Sequence, residues 1–204
     1  MISRYALYTT ADLSKRFDIP DGLPKGIKPS YNISPTVSAP VVTATDGKRA
    51  VSLMKWGLVA KGAKDTNSVF RYKTYNISSE NILSRHSWER AVRESRCLVP
   101  ANGFYELNGS GKKLAYYVQP GDQELVAFAG VHSSWQDPEG VTHGTFSVIT
   151  IDATSEMPEF STVTDTSSLY DMLRPCPRGF LALHEVGAAI HSPKPDTPNL
   201  IDSI

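Results

Sequence analysis

The sequence predicts an α+β fold made mainly of antiparallel, barrel-like β-sheet with a few short helices. Three observations carry this prediction. Fourteen glycines and fourteen prolines divide the 204 residues into short segments. The segments between these breaks are rich in Val, Tyr, Phe and Thr, which favour strands. Several neighbouring segments are separated by tight-turn sequences. The length suits a single domain over residues 1–204.

The strand-like runs begin near the start of the chain and continue to about residue 151. They cover residues 5–9, 41–45, 50–54, 103–107, 114–119, 125–131 and 145–151. Asp46-Gly47 lies between two of them and is typical of a β-hairpin turn. Residues 108–113, Gly121-Asp122 and residues 138–140 predict three more hairpins of the same kind.

Helical patterns are short and few. They cover residues 11–17, 79–85, 86–94 and 167–174. Thr10 and Ser79 stand where N-cap residues are preferred, and Pro175 would end the last of these helices. The proline-rich residues 193–198 are expected to lie extended on the surface.

Composition excludes several classes of protein. Lys and Arg total 21, as do Asp and Glu, so a strongly basic nucleic-acid arm is excluded. No apolar run approaches the length of a membrane helix, and the first residues are too polar for a secretory signal. Cys97 and Cys176 have no partners at metal-binding spacing, and Cys97 is expected to be buried. We expect a cytoplasmic monomer with no cofactor, no metal and no membrane partner.

Four segments in a fixed order carry the functional signal. They are residues 1–6, 31–36, 54–59 and 97–106. Further matches are Asn76 with Glu80, and residues 145–150, 157–158 and 192–196. This ordered set resembles the SRAP family, the SOS-response-associated peptidases or abasic-site processing proteins. The resemblance extends from residue 1 to about residue 200, and it implies the same α+β fold.

The resemblance implies an activity on DNA. Members of the family bind single-stranded DNA, or junctions of single and double strand, at an abasic site. They begin Met-Cys-Gly-Arg, and removal of the Met exposes the Cys. The Cys amine forms a Schiff base with the sugar aldehyde, and its thiol closes a thiazolidine ring. The term peptidase reflects self-processing in the family.

The family's functional positions carry over to named residues. The resemblance implies that Arg4 faces a DNA phosphate and that Asn76 is the active-site Asn. It makes Glu106 the acid–base carboxylate and places Trp56, with Gly57, near the DNA cleft. Each also has an ordinary structural explanation: a solvated charge, a turn former, an exposed carboxylate and a core aromatic.

Arg71 and Lys73 are further candidates for DNA binding. They alternate with Phe70, Tyr72 and Tyr75, an arrangement that offers both charge and stacking surface. An edge strand with alternating exposed residues explains the pattern equally well.

The chain departs from the family where the chemistry lies. Ile2 replaces the Cys and is too bulky for the usual Met removal, so we expect Met1 to remain. The thiol is then absent and the α-amine is one residue out of place. Ser78 stands where the family has Arg, and Thr154 and Glu156 stand where it has His and Arg.

Three functions remain open from the sequence. The first is binding of single-stranded or abasic-site DNA without thiazolidine crosslinking. The second retains some covalent chemistry, with the Met1 α-amine condensing with the aldehyde and Glu106 promoting elimination. The third is a catalytically silent interaction module with no nucleic-acid role.

Overall fold

The computed structural model describes residues 2–59, 63–82, 91–108, 114–122, 125–151 and 179–204. The strands in these ranges are β1 (Tyr5–Leu7), β2 (Ser30–Ile33), β3 (Ser38–Thr45), β4 (Lys48–Trp56), β5 (Asn76–Ser78), β6 (Arg96–Ala101), β7 (Gly103–Asn108), β8 (Leu114–Pro120), β9 (Val126–Gln136), β10 (Thr142–Thr150) and β11 (Leu181–Val186). The α-helices are α1 (Leu13–Phe17), α2 (Asn67–Tyr72) and α3 (Ser79–Ile82), and 3₁₀ turns cover Thr10–Asp12, Ala188–His191 and Pro198–Ile201. The predicted fold class is confirmed.

The strands form two sheets. The first is antiparallel, with the order β11-β8-β7-β1-β2. The second has the order β4-β3-β6-β9-β10, and β10 also pairs in parallel with β4, which closes a five-stranded barrel. Further along, β10 pairs in parallel with β5. The parallel pairings therefore bring the end of β4 and the whole of β5 alongside one strand.

The core lies inside the barrel and continues under β1. Tyr5 packs edge-on against Trp56 and Phe128, with ring centroids 5.1 and 5.8 Å apart. Trp56 stacks on Phe146 with centroids 6.3 Å apart. Burial of side chains of this size stabilises the fold by about 1.5–3 kcal/mol each. A second buried cluster, which includes Tyr105 and Tyr117, lies on the opposite face of the first sheet.

Local turn chemistry decides two of the predicted hairpins. Asp46 and Gly47 have φ of 50° and 76°, and they connect β3 to β4 with Thr45 opposite Lys48. The β9–β10 hairpin is also confirmed, with Gln136 opposite Thr142. Strands β7 and β8 pair as predicted, although the turn at residues 109–113 lies outside the described residues.

Two predictions from the sequence are wrong. Gly121-Asp122 does not form a hairpin, because β8 pairs with β7 and β11 whereas β9 enters the barrel. Residues 67–72 form helix α2 rather than an edge strand. The carboxylate of Asp65 accepts the backbone N–H of Asn67 at the start of this helix, and Lys73 ends it with φ of 50°.

Two of the predicted helices lie within the described residues, and both are present there at least in part. Residues 11–17 begin with a 3₁₀ turn and continue as α1, which buries Leu13 and Phe17 on one face. Helix α3 begins at Ser79, as predicted. The helix predicted over residues 167–174, and most of the one over residues 86–94, lie outside the described residues. No helix in the described ranges is long and apolar enough to cross a membrane.

Gly57 provides a test of how tightly the end of β4 is packed. Its φ is +125°, and an added Cβ would lie 2.2 Å from Cγ1 of Val69. We expect Gly57→Ala to lower the free energy of unfolding by about 3 kcal/mol, because backbone strain and overpacking act together. Urea denaturation followed by circular dichroism measures this loss.

Gly47→Ala is the matched control. Gly47 also has positive φ, but no atom of the residues that the structure describes lies within 4 Å of its added Cβ. The cost should therefore be the conformational part alone, about 1 kcal/mol. Equal losses for the two variants would contradict the packing explanation.

Candidate functional site

The first residues of the chain lie against β5. The side-chain N–H of Asn76 donates to the backbone oxygen of Ile2, and Ile2 packs against the barrel core. The register of β5 on β10 places Asn76 opposite Val148. The other polar side-chain atom of Asn76, Oδ1, is buried and has no hydrogen-bond partner among the described residues. Asn76 therefore holds the start of the chain and keeps one unsatisfied acceptor there.

Glu106 is brought to the same region by β7. The N–H of Tyr105 donates to the carbonyl of Arg4 at 3.0 Å, so these two residues are antiparallel partners. One step further along this register, Glu106 is opposite Ser3. Side chains alternate along a strand, so Glu106 shares the barrel-facing side of β7 with Phe104, and it is exposed. Asn76 and Glu106 therefore both neighbour the first residues.

Trp56 is a buried support for the site, in contrast to its predicted place at the DNA cleft. Its side chain is 0% exposed. The indole N–H donates to the carbonyl of Tyr75 at 2.8 Å, and the same carbonyl accepts the N–H of Val148 at 3.1 Å. The ring thus fixes the residue immediately before Asn76, and it has no surface for a nucleic acid to contact.

Arg4 is half-buried beside β2. Its Nη1 donates to Oδ1 of Asn32 at 2.7 Å. Burial lowers the pKa of Arg4, and nearby Tyr105 opposes this effect. An Arg side chain nevertheless remains charged at neutral pH, so the site holds one fixed cation close to the start of the chain.

Arg71 and Lys73 lie in an exposed segment that precedes Asn76 in the chain. Phe70 and Tyr72 of this surface are 57% and 65% exposed, and the Arg71 guanidinium lies 5.7 Å from the centre of the Tyr72 ring. Thr74 ties the segment to the end of β4, since its hydroxyl donates to the carbonyl of Leu58 at 2.7 Å. Residues 70–73 therefore form an exposed aromatic and basic surface, which we call the α2 surface.

Cys97 is too buried to act as a nucleophile. It lies in β6, it is 7% exposed, and burial raises the pKa of its thiol to about 12. The thiol therefore stays protonated near neutral pH, which makes it unreactive. Its predicted burial is confirmed.

Two buried asparagines, which the sequence analysis did not assign to a site, hold the strands around the chain start. Oδ1 of Asn102 accepts the N–H groups of Tyr8 and Thr9, at 2.8 and 3.1 Å. Asn32 binds Arg4 on one side and the C-terminal residues on the other. The available signal was a polar residue inside an otherwise apolar strand-like run.

Some predicted positions have no described structure. Met1, Thr154 and Glu156 lie outside the described residues, as do Met157 and Pro158. Within the described ranges, no group of three or more His, Cys, Asp or Glu side chains is arranged to hold a metal ion.

Comparison with known proteins settles the family. A family model described as "SOS response associated peptidase (SRAP)" matches residues 1–163. The chain belongs to this family. The resemblance inferred from the ordered motifs is confirmed, and the SRAP match includes the positions of Arg4, Asn76 and Glu106.

Individual relatives agree with this assignment. The abasic site processing protein YoqW of Bacillus subtilis is 28% identical over 225 residues, covering all of both chains. The abasic site processing protein YMR114C of Saccharomyces cerevisiae is 34% identical over 131 residues, covering 64% of this chain and 34% of its own. A solved structure from Bacteroides thetaiotaomicron has a TM-score of 0.81 at 18% identity, covering 98% of this chain and 99% of its own, and it supports the fold.

The burial of Cys97 can be tested by thiol labelling. In a Cys176→Ser variant, we expect the remaining thiol to resist an aromatic disulfide reagent at pH 8 in the native protein and to react at once in denaturant. The thiol of the unfolded chain titrates near its ordinary pKa, whereas the folded pKa is raised. Stability contributed by this group should therefore fall as the pH rises above about 9. Rapid labelling of the folded protein at pH 8 would contradict the buried, protonated thiol.

Proposed function

We propose that this SRAP protein binds single-stranded DNA at abasic sites and that Ile2 impairs the covalent thiazolidine chemistry of its family. The observation that carries the proposal is the contact between Asn76 and the Ile2 carbonyl. It places the Asn identified from the family motif beside the chain start, where the family's reacting residue stands. The relatives named abasic site processing proteins support the same substrate.

The chemistry of an abasic site explains why the chain start matters. The opened sugar presents an aldehyde, which condenses with an amine and loses water. Oδ1 of Asn76, which has no partner within the described part of the chain, is a buried acceptor at this point, suited to a hydroxyl or N–H of the incoming sugar or chain start. Glu106, one strand away, has the carboxylate needed to move protons.

Ile2 removes one half of the family reaction. Its side chain carries no thiol, so a Schiff base could not close to a thiazolidine. Its apolar side chain packs on the core instead of supplying a nucleophile. The proposal therefore separates recognition of DNA from crosslinking to DNA.

The surfaces around Asn76 suit a single strand. Arg4 and the α2 surface supply cations for phosphates, and Phe70 and Tyr72 supply exposed rings on which bases can stack. Since the net charge of the whole chain is zero, this local arrangement must provide the attraction.

A second candidate is an interaction module with no nucleic-acid role. Ile2 favours it, because the residue that gives the family its chemistry is absent. The zero net charge and Glu156 also favour it. A protein of this kind would show no shift with single-stranded, duplex or abasic DNA in native gels.

Restoring the thiol tests the first proposal. We expect Ile2→Cys to form a denaturation-resistant complex with single-stranded DNA carrying one abasic site, since the small Cys permits Met removal and supplies both amine and thiol. Wild type should shift the DNA in native gels and form no such complex. Native gels measure binding, denaturing gels measure the covalent complex, and mass spectrometry of the N-terminus checks removal of Met1.

Ile2→Ser is the matched control for this experiment. It also permits Met removal but has no thiol, so only borohydride should trap its adduct. A denaturation-resistant complex of the wild type would show that Ile2 does not impair crosslinking. A wild-type adduct seen only with borohydride would indicate residual chemistry at the Met1 amine. Absence of a native shift for both wild type and Ile2→Cys would leave the interaction module as the better proposal.

The α2 surface is tested by removing its charges. We expect Arg71→Gln and Lys73→Asn each to weaken binding and to reduce the slope of log K against log salt by about 0.7, one phosphate contact on a single strand. Asn is chosen at residue 73 because it tolerates the positive φ found there. Fluorescence anisotropy between 50 and 200 mM salt measures the slope.

Lys48→Ala is the control for loss of one charge. Lys48 is exposed at the opposite end of β4 from Trp56, so its loss should leave the slope unchanged. An equal change for all three variants would mean that overall charge, rather than the α2 surface, attracts the DNA.

A further inference from the structure

We infer that Asn32 is the positioning residue for Arg4 and that the C-terminal residues fix the direction of the Asn32 amide. This inference rests on the proposed DNA binding, in which Arg4 contacts a phosphate. It adds residues 192–204, which we call the C-terminal strap, to the DNA site.

The oxygen and both N–H groups of the Asn32 side chain form hydrogen bonds. Oδ1 accepts from Nη1 of Arg4 at 2.7 Å. The amide N–H groups donate to the carbonyls of Ser192 and Pro195, at 3.1 and 2.6 Å. An Asn amide has two donors and one acceptor atom, so this set defines which end faces Arg4. A flipped amide would turn N–H groups towards a guanidinium and its oxygen towards two carbonyls.

Burial makes this orientation strict. Asn32 is 6% exposed, so unpaired groups would not be compensated by water. It lies on β2, and the neighbouring β1 carries Arg4 immediately before its first residue. The hydrogen bond between Arg4 and Asn32 therefore joins neighbouring strands of the sheet. It lies near the first residues of the chain, which Asn76 and Glu106 also neighbour.

The C-terminal strap is anchored independently of Arg4. The carboxylate of Asp196 accepts the backbone N–H of Tyr31 on β2. At the other edge of the sheet, Ser203 forms an antiparallel β-bridge with Val186 of β11, and the backbone N–H of Ile204 donates to the backbone carbonyl of Glu185. Between these points Leu200 is buried in the cluster that includes Tyr105 and Tyr117. The strap thus crosses one face of the sheet, held at both edges.

The consequence for binding is a preoriented cation. One guanidinium N–H is committed to Asn32, and the four that remain suffice for bidentate contact with a phosphate. A side chain already held in place loses less conformational freedom when the phosphate arrives. Asn32 should therefore affect DNA affinity through Arg4 alone.

A double-mutant cycle tests this dependence. We expect Asn32→Leu to weaken binding of single-stranded DNA carrying a tetrahydrofuran abasic analogue by about five- to tenfold, the size of a typical net hydrogen bond. In an Arg4→Ala background the same change should have little further effect. Fluorescence anisotropy gives the four affinities, and thermal unfolding confirms that each variant is folded. Additive effects of the two substitutions would overturn the inference.

A second variant and a measurement without DNA make the result independent of the proposed function. Asp196→Ala leaves Asn32 intact but releases the strap from β2, so it should weaken binding in the same direction, and it serves if Asn32→Leu does not fold. Nitrogen-15 NMR of the Arg4 guanidinium should show restricted rotation in wild type and averaged signals in either variant. If rotation is restricted in wild type and freed in the variants but wild type binds no DNA, the proposed function is contradicted and the positioning of Arg4 by Asn32 is supported. Unchanged guanidinium signals would overturn the positioning even if DNA binds.

Discussion

Trp56 joins three parts of the chain that no local interaction would bring together. Its backbone pairs with β10 and closes the barrel, its ring packs under Tyr5 of β1, and its N–H holds Tyr75. The next residue, Asn76, then reaches the Ile2 carbonyl. A buried donor without its acceptor is costly, so this single hydrogen bond couples the stability of the barrel to the geometry of the site.

The proposed function makes recognition of DNA separable from covalent chemistry in this arrangement. The groups that hold and orient, among them Asn32, Trp56 and Asn76, are bonded to the fold and are maintained by it. The group that would react sits at residue 2, where packing accepts Ile. An apolar side chain can therefore replace the nucleophile with little effect on the architecture. The proposal thereby accounts for a chain of the SRAP family that has Ile2 where the resemblance implies a Cys.

Local signals and long-range pairing account for what the sequence could and could not predict. Asp46-Gly47 defines its hairpin because both residues accept positive φ. Gly121-Asp122 looks similar, but the partners of β8 and β9 are chosen by sheet assembly. The burial of Trp56 and the helical form of residues 67–72 likewise depend on tertiary packing. Arg4, Asn76 and Glu106 were found by resemblance alone, and their roles stay predictions. The contact of Asn76 with a residue 74 positions earlier had no local signature.

The parallel pairing of β10 with β4 and β5 also constrains how the protein reaches its native state. Parallel neighbours require long excursions of the chain before they meet, and the loss of chain entropy comes before the contacts that compensate it. The antiparallel hairpin of β3 and β4 can form early from nearby residues, whereas β5 has no partner in the described sheet until β10 has been placed. A partly folded chain can thus contain most of the strands in their correct pairs while β5, which holds the first residues through Asn76, is not yet in place. Slow barrel closure would make the contact of Asn76 with Ile2 form later than the bulk of the secondary structure.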